Sequence, residues 1–314
     1  MPEKEELISI LGATATGKTK IAVALANDLN GEILSADSRQ VYRKMDAGTG
    51  KDIEDYTVSG KKIPYHLIDI VDVGYKYNVF EYQRDFYKTY NDVCSRNRQP
   101  ILCGGSGMYI EAVVNGYNMP EAPANYKLRA EFEKHSDDEL INILASLKHL
   151  HNKTDYDSRK RLIRAIEIET FRKENDIKIS KYEKLNNIYF GIIFDTVTRR
   201  KRITERLDYR LKNGMIDEVK HLLENDISAD DLIYYGLEYK FITLYLVGKL
   251  NYDEMRQQLN IAIHRFAKRQ MTWFRGMERR GAKINWIDGH LPIAEKIKQI
   301  KNIWNCSKST NVNV

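Results

Sequence analysis

The eight residues Gly12-Ala13-Thr14-Ala15-Thr16-Gly17-Lys18-Thr19 constrain this chain more than any other stretch. They fit the phosphate-loop pattern, in which two glycines let the backbone curl and a lysine and a hydroxyl residue open a helix. The pattern works only between a buried strand and a helix. The apolar run Leu7 to Leu11 predicts the strand, and Ile21, Ala22, Leu25 and Leu29 at helical spacing predict a helix over Lys20 to Leu29. Successive N–H groups then face phosphate oxygens, the helix N-terminus adds partial positive charge, Lys18 neutralises the anion and Thr19 can hold Mg²⁺. All eight positions are phosphate-binding candidates, and the loop alone leaves open which polyphosphate they hold.

The rest of the chain supplies an α/β frame for that loop. Glu32 to Ala36, Ile101 to Cys103 and Tyr189 to Phe194 read as further buried strands, and Val79 to Arg98 reads as a helix between two of them. Strands alternating with helices predict a P-loop-type parallel sheet with right-handed crossovers. Past Asn115 the texture changes to charged helical stretches broken by Pro120 and Pro123. We therefore expect a core of residues 1–114 and 188–314 with an inserted helical subdomain at 115–187. A length of 314 residues suits two domains, and 42% hydrophobic with 30% charged residues excludes a disordered or fibrous chain. The polar residues Cys306 to Val314 are expected to fray.

Three widely spaced cysteines, Cys94, Cys103 and Cys306, form no disulfide framework and no zinc pattern. An acidic start lacking a signal-like run, and no apolar stretch of membrane-spanning length, point to a cytoplasmic protein with no membrane partner. Asn152-Lys153-Thr154-Asp155 matches the letters of a guanine-reading motif, but no buried strand precedes it and the one Asp-x-x-Gly, starting at Asp28, lies at the end of the P-loop helix, too early for a switch. We read the match as coincidence.

Parallel strands joined by right-handed crossovers end on one edge, so Asp37, closing the second strand, is expected beside Lys18 and Thr19 in a common tunnel. Asp37-Ser38-Arg39-Gln40 offers a proton acceptor, a hydroxyl, a cation and a base-reading amide. Its bland alternative is a turn or helix cap. Gly104-Gly105-Ser106-Gly107 reaches the same edge, either as a second wall of the site or as a helix start with Ser106 as its cap.

Positive charge is concentrated rather than spread. Thr196 to Gly214 and Ile261 to Gly281 together carry +10, against +6 for the whole chain. On the second segment Arg265, Lys268, Arg269 and Arg275 share one helical face, Ile263, Phe266, Ala267 and Phe274 another, and Trp273 adds a stacking surface. A basic face with aromatics suits RNA phosphates and unstacked bases; a solvated face is the alternative. A third basic cluster runs from Tyr156 to Ala165, partly offset by Glu167 and Glu169; it suits an inserted arm closing over RNA, with a plain surface helix as the more common alternative for such a cluster.

Taken with the loop, these motifs resemble the tRNA dimethylallyltransferase family, also called tRNA isopentenyltransferases, in its bacterial form without a zinc finger. The resemblance spans nearly the whole chain: Gly12 to Thr19, Asp37 to Tyr42, His66 to Asp69, Pro100 to Tyr109, Asp157 to Arg159 with Arg164-Ala165, Arg202-Ile203 with Arg206, and Ala267 to Arg275. It implies transfer of a dimethylallyl group from dimethylallyl diphosphate to N6 of the adenosine 3′ of the anticodon. The loop would hold the diphosphate and, through Thr19, Mg²⁺. Asp37 would act as base, with Lys18, Thr19 and Arg206 as its catalytic partners. The resemblance also assigns tRNA contacts to Asp37, Ser38, Arg39, Gln40, Ser106, Arg129, Lys160, Arg161, Leu162, Ile163 and Arg164, joined by Lys268, Arg269, Trp273 and Arg275 of the basic helix. A monomer acting on the anticodon stem-loop is expected. Departures from the family pattern fall at Tyr65, at Gly236-Leu237-Glu238-Tyr239 and at Ile263-His264-Arg265-Phe266. A small-molecule P-loop kinase and a dimethylallyltransferase acting on free adenylate share the cradle and stand as alternatives.

Overall fold

The computed structural model describes residues 6–150, 156–175 and 182–311. Its contacts divide the chain into two compact units, Met1–Asn115 with Lys184–Val314, and Gly116–Glu183. Asn152 to Asp155, the guanine-motif letters, lie outside the described residues.

The first unit is built on strands β1 (Leu7–Gly12), β2 (Gly31–Ala36), β3 (Thr57–Val58), β4 (Lys61–Lys62), β5 (Tyr65–His66), β6 (Gln99–Gly104), β7 (Asn187–Ile193) and β8 (Ile284–Asp288). Six of them form one parallel sheet in the order β5-β2-β6-β1-β7-β8, while β3 and β4 make a small antiparallel hairpin. Every residue of β1, β2 and β6 is buried, as central strands covered by helices on both faces must be. The helices of this unit are α1 (Lys18–Asp28), α2 (Val79–Ser95) and α3 (Gly107–Val114), then, numbered on past three helices of the second unit, α7 (Thr196–Lys212), α8 (Met215–Glu224), α9 (Ala229–Tyr234), α10 (Leu237–Leu246), α11 (Tyr252–Arg279) and α12 (Ile293–Asn311). The start of α2 is set by a capping box between Asn78 and Glu81. Its buried Tyr82, Phe86 and Tyr90 recur every four residues, and the Tyr82 hydroxyl donates to the Ser35 carbonyl at 3.0 Å, tying the helix to β2.

Four strands escaped the sequence reading: the β3-β4 hairpin, and β5 and β8 of the main sheet. Each of the latter two lies at an edge of the sheet, is short, and carries polar residues that dilute the apolar signal; pairing with β2 and β7 makes them strands. Helix α12 continues to Asn311, past the start of the stretch Cys306 to Val314 that was expected to fray. Its Ile297, Ile300 and Trp304 are buried in the sheet's own core cluster, which holds the helix in place. No described helix is long and apolar enough to cross a membrane.

The second unit contains α4 (Tyr126–Phe132), α5 (Asp137–Leu147) and α6 (Arg159–Glu174) around Phe132, Leu140, Leu144, Leu162, Ala165 and Ile166. Glu167 is a buried carboxylate inside it. Arg129 donates to it at 2.6 and 2.9 Å, Arg164 at 3.1 Å and the Asn125 backbone N–H at 3.0 Å. Three residues expected to contact RNA, Leu162, Arg129 and Arg164, make contacts within this unit. Leu162 is 1% exposed, so its side chain serves the core and not a nucleic acid. The guanidinium groups of Arg129 and Arg164 are committed to Glu167, and Arg164 also donates to the carbonyls of Ala122 and Pro123. Ile163 is half-buried against the same core, Arg161 pairs with Asp157 at 2.5 Å, and Lys160 is exposed.

Candidate active site

The carboxyl ends of β1, β2 and β6 lie side by side, and the loops that leave them wall a cavity of about 620 Å³. Lys18 and Asp37 both line it, together with Thr14, Ala15, Gly17, Thr19, Ser38, Arg39, Gln40 and Ser106. Of the eight loop residues, Gly12, Ala13 and Thr16 lie behind the wall: all three are buried, and the Thr16 hydroxyl donates to the Ala13 carbonyl at 2.8 Å. They shape the loop while the other five face the cavity. Ala15 and Gly17 are in the left-handed region, with φ of 63° and 76°, the curl that turns successive N–H groups toward one point.

The second and third loops are stitched together. Asp37 Oδ1 accepts from the Arg39 N–H at 2.9 Å, an Asx turn that fixes the carboxylate's orientation. Ser106 occupies the N-cap position of α3, yet its side chain makes no cap bond; its Oγ accepts from the Ser38 N–H at 3.1 Å instead. The two readings of Ser106 thus merge, since the helix starts there and the hydroxyl turns to the cavity wall. Close approach of β2 and β6 makes Gly104 obligatory, because a Cβ there would collide with the Ala36 carbonyl.

Electrostatics inside the cavity follow from burial. Desolvation lowers the pKa of Lys18, an effect opposed by the neighbouring Cys103 and Asp37 and reinforced by Arg206. Burial pushes the Cys103 thiol up to about 11, keeping it a neutral partner to the Thr19 hydroxyl that bonds it. Burial also lowers Arg206, helped by Arg210, while Asp52, Glu238 and Asp37 pull the other way. Arg210 donates through Nη2 to both Asp52 oxygens, at 2.8 and 2.9 Å, whereas Arg206 approaches that carboxylate only to 3.5 Å. Arg206 is the less neutralised cation of the pair. Both guanidinium groups pack on Gly50, whose φ of 73° and bare Cα permit the approach.

Several lining residues were missed by the sequence reading. Gln270 of α11 accepts from the Thr14 N–H at 2.9 Å and donates to the Gly105 carbonyl at 3.0 Å, joining the phosphate loop to the third loop. Arg202 of α7 donates through Nε to the Ala15 carbonyl at 2.9 Å. Glu238, at a departure from the family pattern, faces the cavity with its pKa raised by burial. Gln270 and Arg202 stood inside recognised motifs, which was their only signal; Glu238 was visible only as a displaced carboxylate at a departure from the family pattern. Phe266 is a correction: it lies not on the buried stripe of α11 with Ile263, Ala267 and Phe274 but 38% exposed at the cavity wall, where Arg269 sits 5.9 Å over its ring. The helical phase puts it one position past the core face, and its apolar character alone misassigned it. Arg265, Lys268 and Arg275 are exposed as expected, and Trp273, 37% exposed, packs its indole on Gly107.

A P-loop sheet that sets a phosphate cradle, arginines and a carboxylate around one cavity defines a phosphate-ester or diphosphate-handling protein of the P-loop-like class. Residues 40–277 match the family described as IPP transferase. The chain is 57% identical over 300 residues to tRNA dimethylallyltransferase 1 of Parabacteroides distasonis, covering 96% of this chain and 98% of that one. It is 48% identical over 284 residues to tRNA dimethylallyltransferase 2 of Trichlorobacter lovleyi, covering 90% and 92%. Among solved structures it is similar to the full-length tRNA isopentenylpyrophosphate transferase of Bacillus halodurans, with a TM-score of 0.72 and 31% identity over 98% of this chain and 99% of that one. The chain belongs to the IPP transferase family and is a prenyl-transferring enzyme of that family.

Proposed function

We propose that this enzyme transfers a dimethylallyl group from dimethylallyl diphosphate to N6 of the adenosine 3′ of the anticodon in tRNA, releasing diphosphate. The observation that carries the reading is the shared cavity: the phosphate loop with Lys18 lines one part of its wall and the Asp37 carboxylate another. As the C1–O bond of the allylic diphosphate breaks, negative charge grows on the leaving group. Lys18, Arg206 and the loop N–H groups stabilise it. The N6 amine forms the new N–C bond and passes its proton to Asp37, which orients the amine beforehand because Oδ1 is pinned by Arg39. Target adenosine has to leave the anticodon-loop stack to reach this carbon. Ser38, Arg39, Gln40, Ser106 and Arg269 line the wall, and exposed Lys160, Arg161, Lys268, Trp273 and Arg275 supply phosphate and stacking contacts to the tRNA.

A divalent cation fits the cavity as a substrate-held ion. Among the described residues no cluster of three or more His, Cys, Asp or Glu side chains can hold a metal, so Thr19 would be its one protein anchor, with phosphate oxygens and water completing it. Mg²⁺ suits that arrangement and would add positive charge to the leaving group. A cytoplasmic monomer meets the tRNA in this reading. Incubating unmodified tRNA with the enzyme, Mg²⁺ and dimethylallyl diphosphate should yield a mass increase on one adenosine, and Asp37→Ala should lose transfer by about a hundredfold or more while still binding diphosphate. Prenylation of free AMP instead of tRNA, or radiolabelled phosphate transfer from ATP, would overturn the proposal.

A further inference from the structure

Arg202 stands over the phosphate loop with most of its hydrogen-bonding capacity unspent. A guanidinium has five N–H donors. Here Nε donates to the Ala15 carbonyl at 2.9 Å, while Nη1 and Nη2 donate to no described residue. Nη2 lies 3.9 Å from where a Cβ on Gly17 would sit, so the free end of the group is poised above the crest of the cradle, and Arg202 lines the cavity.

Its position is set from the far end of the chain. The guanidinium lies 4.7 Å over the ring of Phe194, the residue that follows β7. Phe194 is 8% exposed, and Gly289, just after β8, packs so closely on its ring that any Cβ there would collide with it. Lys296 of α12 donates to the Gly289 carbonyl at 2.6 Å and sits 5.9 Å over the same ring. The edge of His290, 5.0 Å away, closes a further side, and its Nε2 is 3.0 Å from Asp195, whose Oδ1 caps α7 through the Thr198 N–H. Strand β8, its loop and helix α12 therefore fix a ring, and the ring fixes an arginine. An arginine whose stem and face are held in place loses little entropy when its remaining donors bind an anion.

We propose that Arg202 is a diphosphate-binding residue whose free Nη groups take oxygens of the bound anion, and that Phe194, seated by Lys296, is the positioning residue that aims it. The inference rests on the donor-site reading of the cavity. Direct binding of inorganic diphosphate to the full chain, measured by calorimetry, tests it apart from catalysis. Arg202→Gln removes an exposed cation and should weaken diphosphate binding about tenfold or more. Phe194→Leu should weaken it about threefold. In the Arg202→Gln background, Phe194→Leu should add nothing, because the ring acts only through the arginine. Steady-state kinetics should show the loss in KM for dimethylallyl diphosphate and not in KM for tRNA. Should Phe194→Leu lower the melting temperature and obscure its effect, Lys296→Met gives a second perturbation of the same ring. Wild-type diphosphate affinity in Arg202→Gln overturns the proposal, as does an undiminished Phe194→Leu effect in the double variant. Diphosphate binding by the wild type with no tRNA prenylation would instead count against the function and leave this inference standing.

Discussion

Gln270 offers the sharpest test of how α11 organises the cavity. Its amide satisfies two backbone groups at once, the Thr14 N–H and the Gly105 carbonyl, and the side chain is 8% exposed. Gln270→Leu keeps the bulk and deletes both bonds. A buried backbone group left without a partner costs roughly 1–3 kcal/mol. Thr14 faces the cavity, where water can replace the lost acceptor, so the lower end applies and the total comes to about 2 kcal/mol. For a chain of this size that lowers the melting temperature by roughly 4 °C. The functional effect should be larger than the stability effect, because the freed loop no longer presents its N–H groups in one direction; diphosphate affinity should fall about tenfold. Gln270→Glu separates the two bonds. It keeps an acceptor for Thr14 but sets a carboxylate oxygen against the Gly105 carbonyl, so its defect should shrink as pH falls and the side chain protonates. Scanning calorimetry and diphosphate titration read both variants. A Gln270→Leu enzyme with wild-type melting and wild-type diphosphate affinity would refute the reasoning.

Three further expectations follow from other sites. Gly50→Ala places a methyl group against the Arg206 and Arg210 guanidinium groups at a φ of 73°, which should cost more than about 1 kcal/mol in denaturant unfolding and raise the KM for dimethylallyl diphosphate. His264 has its pKa lowered by burial and by Arg200 and Arg199, and its Nδ1 is buried without a partner. The unfolded chain therefore binds the proton more readily, so this group's contribution is intact above the unfolded pKa near 6.5 and is lost as pH falls below it. Urea unfolding of His264→Gln should be less pH-dependent than wild type between about pH 5 and 7. Cys103, with its thiol raised to about 11 by burial, should resist iodoacetamide at neutral pH although it lines the cavity, while exposed Cys306 reacts; peptide mass mapping distinguishes them.

Much of the site was legible because its parts are local. The phosphate-loop pattern is a run of consecutive residues, and the strand before it and helix after it announce themselves by periodicity. Asp37 followed from the parallel sheet: a strand-helix-strand crossover returns the second strand parallel to the first, so its carboxyl end reaches the same edge. The central strands β1, β2 and β6 were readable because complete burial demands continuous apolar runs. Edge strands β5 and β8 were not, since half of each faces neither core nor a second neighbour.

The amino-acid order by itself therefore determined the cradle, the class of sheet around it and the carboxylate opposite it, because each depends on neighbours within a few residues or on the fixed chirality of the chain. Only tertiary structure decided which basic residues are available. Arg129 and Arg164 read like Lys160 in sequence, yet a buried Glu167 claims both. Arg206 and Arg210 are one helical turn apart, yet Asp52 neutralises one far more than the other. Gln270 meets Thr14 across 256 positions, and Phe194 meets Arg202 in a place set by Lys296. Charge and polarity are properties of a residue, but whether they are spent or free depends on partners that folding brings from elsewhere in the chain.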